Sequence, residues 1–141
     1  MRFWDSSAIV PLLVHEPTSR RLLALLQEDP RMIAWWGASV ECVSAIARLE
    51  RETAIAATAV DTAIERLRSL RCTWHEVQPS QVVRETAERL LRVHALRAAD
   101  SLQLAAAVLA ANHRPVSLAL VCSDERLSVA AHREGFAVLR V

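Results

Sequence analysis

Glycine is nearly missing from this chain: only Gly37 and Gly135 occur among its 141 residues. No glycine-rich phosphate loop and no flexible glycine linker can therefore be built from it. Cysteine is scarce as well. Cys42, Cys72 and Cys122 are odd in number, show no CxxC spacing and sit in apolar runs. That pattern argues against a disulfide framework and for free, buried thiols in a reducing compartment. Neither charge sign dominates: 17 Lys and Arg face 16 Asp and Glu, for a formal net charge of +1. A nucleic-acid partner would have to be met by local charge or by a metal. No run of about eighteen uncharged apolar residues is present, so no membrane span is expected. Asp5 also interrupts the stretch that a signal peptide would need to be apolar, so the expected location is the cytoplasm. The histidines at 15, 75, 94, 113 and 132 lack metal-ligand spacing.

What remains is the balance of a globular protein, 52% apolar and 23% charged, without repeats or low-complexity segments. Residues 1–141 are expected to form one domain. Apolar spacing predicts helices over about 6–16, 18–28, 38–52, 55–71, 79–94, 99–112 and 124–134. Short strands are predicted at 2–5, 32–36, 73–77, 117–122 and 136–141, with Gly135 as a helix C-cap. Strands alternating with helices imply an α/β fold with a central, mostly parallel sheet flanked by helices. In such sheets, sites form at the carboxyl ends of the strands.

Most acids here read as solvated helix-face groups, Glu65, Glu85, Glu88 and Glu134 among them, each worth little. Four others are placed differently. Asp5 and Asp124 each follow a strand, at equivalent points, where an Asp also serves as a helix N-cap. Asp100 opens an alanine-rich helix, where the helix dipole favours a carboxylate, yet Leu104 and Ala107 follow at i+4 and i+7. A charge beside that packing surface needs a partner. Glu41 shares a helix side with Arg48 and Glu52, away from the apolar stripe, and a solvated glutamate is the alternative reading. If these acids meet, their mutual repulsion requires compensation. A hard divalent cation, Mg2+ or Mn2+, suits a carboxylate and water donor set better than zinc does. Phosphodiester hydrolysis is the chemistry that such a site serves.

The motifs around these acids resemble those of PIN domains. Phe3-Trp4-Asp5-Ser6-Ser7-Ala8-Ile9 resembles the opening motif, a strand-end Asp followed by small hydroxyl residues. Ser39-Val40-Glu41-Cys42-Val43, with Arg48, resembles the second. Leu96-Arg97-Ala98-Ala99-Asp100-Ser101-Leu102-Gln103-Leu104-Ala105 resembles the third, and Val121-Cys122-Ser123-Asp124-Glu125-Arg126-Leu127 the fourth. The likeness runs in order through the whole chain, whose compact length resembles the VapC toxins of toxin–antitoxin pairs. It implies a PIN-like three-layer sandwich and an acidic site of Asp5, Glu41, Asp100 and Asp124 holding Mg2+ or Mn2+. Ser7 or Ser123 is implied to position water or a carboxylate. The implied activity is endonucleolytic cleavage of RNA, with homodimerisation and a cognate antitoxin protein as partner.

Other residues divide between function and packing. Arg97 either contacts substrate phosphate, pairs with Asp100, or is an exposed helix-end arginine. Arg20 and Arg21 could touch RNA or line a solvated face. Trp35 and Trp36 could stack on bases or pack in a core or dimer. The leucines at 12, 13, 22, 23, 25 and 26 exceed one core face, which fits either a groove for an amphipathic antitoxin helix or ordinary packing. Two rival functions stand beside the nuclease. One is another phosphoryl-transfer enzyme, disfavoured by the lack of a DxD after the first strand. The other is a catalytically silent PIN-like binding module whose acids only cap helices.

Overall fold

A computed structural model describes all residues 1–141. Five strands alternate with seven helices: β1 Arg2–Trp4, α1 Ser6–Leu13, α2 Ser19–Glu28, β2 Met32–Trp35, α3 Ala38–Arg51, α4 Ala57–Arg71, β3 His75–Val77, α5 Gln81–Val93, α6 Ala98–Ala110, β4 Ala119–Cys122, α7 Glu125–Arg133 and β5 Ala137–Arg140. The strands form one sheet in the order β3-β2-β1-β4-β5, and every pairing is parallel. The α/β three-layer expectation is met, and the sheet is wholly rather than mostly parallel.

Burial explains the strand sequences. A parallel sheet covered on both faces favours continuous apolar runs over alternation. The three inner strands follow that rule: Phe3, Trp4, Met32, Ile33, Ala34, Leu120 and Val121 are all buried. The edge strands β3 and β5 carry exposed His75 and Arg140, as suits strands covered less completely. One cluster of 35 buried apolar residues runs through both layers.

Helix limits follow local chemistry. Pro11 lies inside α1, removing a backbone donor, and the chain turns extended at Val14. The helix runs two residues past that proline, stops at Leu13 and does not reach Glu16. Ser80, not Pro79, starts α5; its hydroxyl accepts from the Val83 amide at 3.2 Å. Residues 115–117 form a 3-10 turn, so β4 begins at Ala119, two residues later than the predicted strand start at 117. Gly135, at φ +97°, ends α7 as expected: its amide bonds the His132 carbonyl and the Phe136 amide bonds that of Ala131, closing a Schellman turn.

Two sequence expectations need correction. Cys72 is exposed at the C-cap of α4, whereas Cys42 and Cys122 are buried. Glu134 is not a loose surface acid. It lies between Arg89 Nη2 at 2.9 Å and the buried His94 Nε2 at 2.7 Å. Trp35 and Trp36 also part company, Trp35 entering the core while Trp36 stays 49% exposed.

Right-handed crossovers fix which face each helix covers. Moving from β1 through β2 to β3 sends α1–α4 to one face, where α1 packs on α2, α3 and α4. Moving from β3 to β4 and on to β5 sends α5–α7 to the other, where α6 packs on α5 and α7. The winding reverses between β1 and β4. The crevice beyond their carboxyl ends is the topological switch point of the sheet.

Candidate functional site

Asp5 leaves β1 and Asp124 leaves β4, one on each side of that switch point. Both are N-caps, as the capping reading of the sequence expects. Asp5 Oδ2 accepts from the Ser7 amide at 2.9 Å, and Asp124 Oδ1 accepts from the Leu127 amide at 2.8 Å. Glu41 sits in the first turn of α3 and Asp100 in the first turn of α6. Four helix N-termini thus present four carboxylates around one crevice, and each dipole favours negative charge there.

The crevice opens into a cleft of about 680 Å3 lined by Ser6, Ser7, Glu41, Arg48, Arg97 and Asp100, among others. Asp5 lies beneath it and is only 3% exposed. Ser7 ties the halves together, its hydroxyl accepting from the Ser123 and Asp124 amides at 3.0 and 3.1 Å. One serine of α1 therefore fixes the backbone that carries Asp124. Ser123 itself contributes no side-chain bond, and its buried hydroxyl is without a partner. Glu41 is held from two sides. Its Oε2 accepts from the Ser6 hydroxyl at 2.7 Å and from Gln103 Nε2 at 3.1 Å.

Ser6 and Gln103 carry the arrangement of Glu41, and sequence reasoning gave neither a role. For Gln103 the signal existed: it stands one helical turn after Asp100, and a long polar side chain there, 1% exposed, is out of place among alanines. Arg126 was missed likewise; its charge, with that of Arg97, acts on Asp100.

The electrostatics show how closely the acids are gathered. Burial, with smaller contributions from the charges of Glu41 and Asp100 and against the hydrogen bonds from Ser7, pushes the Asp5 carboxyl up to about 6. Burial also raises Glu41, with Asp100 adding to it against the bonds from Ser6 and Gln103. Asp100 is raised by burial and by Asp124, while the Arg97 amide and the charges of Arg97 and Arg126 oppose the rise. Cys122 sits within donating reach of Asp5 Oδ2 at 3.7 Å and of the Asp124 carbonyl at 3.3 Å. Burial and the charge of Asp5 push its thiol up to about 12, so it stays a neutral donor. Asp5, Glu41 and Asp100 are thus all raised, a repulsion that a cation would relieve.

The donor chemistry fits a hard divalent ion. Each carboxylate engages one oxygen within the protein and leaves the other without a hydrogen bond: Asp5 Oδ1, Glu41 Oε1, Asp100 Oδ1 and Asp124 Oδ2. Oxygen donors of this kind suit Mg2+ or Mn2+. As the side chains stand, no group of three or more His, Cys, Asp or Glu closes around a common point. Arg48 and Arg97 line the same cleft and enter no ion pair, leaving two guanidiniums free to meet phosphate.

No protein-family model matches the chain, and no curated protein matches it by sequence. Solved structures do share its fold. A chain of a toxin–antitoxin complex from Klebsiella pneumoniae aligns with a TM-score of 0.66 at 18% identity, covering 99% of this chain and 96% of that one. A chain of FitAcB from Neisseria gonorrhoeae aligns with a TM-score of 0.68 at 18% identity, covering 99% and 97%. A chain of FitAB bound to an IR36 DNA fragment gives 0.68 at 17% identity, covering 99% and 94%. At these identities the likeness establishes the fold.

Proposed function

We propose that this chain is a metal-dependent endoribonuclease of the VapC kind, the toxin of a toxin–antitoxin pair, cutting RNA phosphodiester bonds at the switch-point crevice. The observation that carries this reading is the placement of Asp5, Glu41, Asp100 and Asp124 at four helix N-termini about the switch point, with Glu41 and Asp100 lining the cleft there. The shared fold with a chain of a toxin–antitoxin complex supports the biological setting. Asp5, Asp100 and Asp124 would hold Mg2+ or Mn2+. A bound ion of this type lowers the pKa of water and stabilises charge on phosphate oxygens.

The protein's own residues do the rest. Arg97 and Arg48 draw the phosphate into the acidic cleft, whose charge would otherwise repel it. Ser6 and Gln103 hold Glu41 through Oε2, which leaves Oε1 to orient the attacking water and accept its proton. Ser7 fixes the Asp124 backbone, so that the two sides of the switch point keep their spacing. No helix is long and apolar enough to cross a membrane. A cytoplasmic toxin, homodimeric and neutralised by an antitoxin protein, completes the proposal.

A second reading is favoured by the caps: Asp5 and Asp124 already serve helices, and no closed ligand cluster is formed. On that reading the protein is a catalytically silent binding module. Purified protein incubated with total cellular RNA separates the two. The nuclease yields discrete fragments with Mg2+ or Mn2+, none with chelator, and none from folded Asp5→Asn or Asp100→Asn. The silent module yields no fragments and no metal-induced rise in melting temperature.

A further inference from the structure

Next to the acidic cleft lies a second concavity of about 440 Å3, lined by Trp36, Ser39, Val40, Arg71, Trp74 and Glu76. It falls in the size range of ligand sites. Val40 lines both it and the acidic cleft, so the two are neighbours across the first turn of α3. Trp36 is 49% exposed and Val40 64%, an apolar surface open to solvent. The indole of Trp36 is not loose, because it stands edge-on to the buried Trp35, with centroids 6.4 Å apart and planes at 70°.

The charges decide what the concavity takes. Arg71 enters no ion pair or side-chain hydrogen bond. Glu76 is already occupied, with Oε2 accepting from Trp74 Nε1 at 3.2 Å and Oε1 from Gln78 Nε2 at 2.8 Å. Glu76 keeps its charge but is engaged by Trp74 and Gln78, so the exposed Arg71 is the group left to pair with a ligand. A nucleotide meets both needs: a π-face for Trp36 and a phosphate for Arg71.

We infer that this concavity is a base-stacking subsite for single-stranded RNA, in which Trp36 stacks on a nucleobase flanking the cleaved bond and Arg71 receives an adjacent phosphate. The inference rests on the ribonuclease reading of the neighbouring cleft. Ser39 lines the same concavity, and its hydroxyl would meet a base edge or the 2′-hydroxyl.

The test is binding of fluorescein-labelled single-stranded oligoribonucleotides to the full chain in chelator, read by anisotropy, so that affinity is measured apart from cleavage. Trp36→Ala is expected to weaken binding about tenfold and Trp36→Phe far less, the range that base–aromatic stacking supplies. Arg71→Gln should flatten the salt dependence of log Kd by roughly 0.7. A scan with single abasic nucleotides gives the deciding readout. The wild type should lose about tenfold at one position, and Trp36→Ala should be indifferent there. If the abasic penalty persists in Trp36→Ala, or if that variant binds as the wild type does, the subsite is refuted. Refutation also follows if Trp36→Ala only converts a dimer to monomer in sedimentation, with the abasic penalty intact; the concavity is then an interface between copies. Metal-dependent cleavage that survives those outcomes leaves the parent reading standing, whereas absence of both cleavage and RNA binding removes both.

Discussion

Asp5→Asn should make this protein more stable while abolishing its proposed activity. The carboxyl is 3% exposed and held at about 6, chiefly by burial. Its value in the unfolded chain is the ordinary 3.8. A folded-state pKa raised above the unfolded one favours folding fully below about 3.8, and that contribution is lost as pH rises through about 6. The difference of roughly two units corresponds to about 3 kcal/mol lost by pH 7.5. Asparagine has the same shape, caps helices as well as aspartate, and carries no charge to lose. Its variant should therefore exceed the wild type by up to ~3 kcal/mol at pH 7.5, near 10 °C in Tm. The gain should be much reduced at pH 4. Urea unfolding in chelator at both pH values measures it. Adding Mn2+ should then raise the wild type and leave Asp5→Asn unmoved, narrowing or reversing the order. Equal stability at pH 7.5, or an equal gain at both pH values, would refute the argument that Asp5 is an ionised acid kept at a cost.

Gln103→Leu should lower metal-dependent cleavage about tenfold, the usual effect of losing a group that orients a ligand, with Tm within a few degrees of wild type; cleavage assays beside calorimetry check it. Gly37→Ala should destabilise by about 2 kcal/mol by overpacking, because a Cβ there would stand 2.5 Å from Trp35 Nε1; chemical unfolding measures it. Glu134→Gln should cost about 2 kcal/mol at pH 7 through weakened charge-assisted bonds to Arg89 and His94. Those bonds outweigh burial and hold the Glu134 carboxyl below its ordinary value, so its stabilisation is present above about 4.5 and fades as pH falls below that. Unfolding at pH 7 and pH 3 should show the deficit only at pH 7.

The sheet and the helices were legible because burial on both faces writes itself as apolar runs such as Leu118 to Val121, and helical stripes as spaced leucines. The strand-end positions of Asp5 and Asp124 were legible for the same reason. Boundaries slipped where local detail decided them, at Val14, at Ser80 and in the turn at 115–117. The partners of the acids were hidden because they cross between distant helices: Gln103 reaches Glu41 over 62 residues of sequence, and Ser7 reaches Asp124 over 117. Glu134 looked like a surface acid since its partners, Arg89 and His94, stand on another helix altogether.

The central claim is that the four carboxylates form one divalent-cation site, and titration with Mn2+ addresses it most directly. Electron paramagnetic resonance of free Mn2+ should show the wild type depleting the signal stoichiometrically. Asp5→Asn, Asp100→Asn and Asp124→Asn, each verified as folded, should each weaken binding by more than about tenfold. A wild type that leaves the free Mn2+ signal unchanged, or variants that bind as it does, would contradict the account.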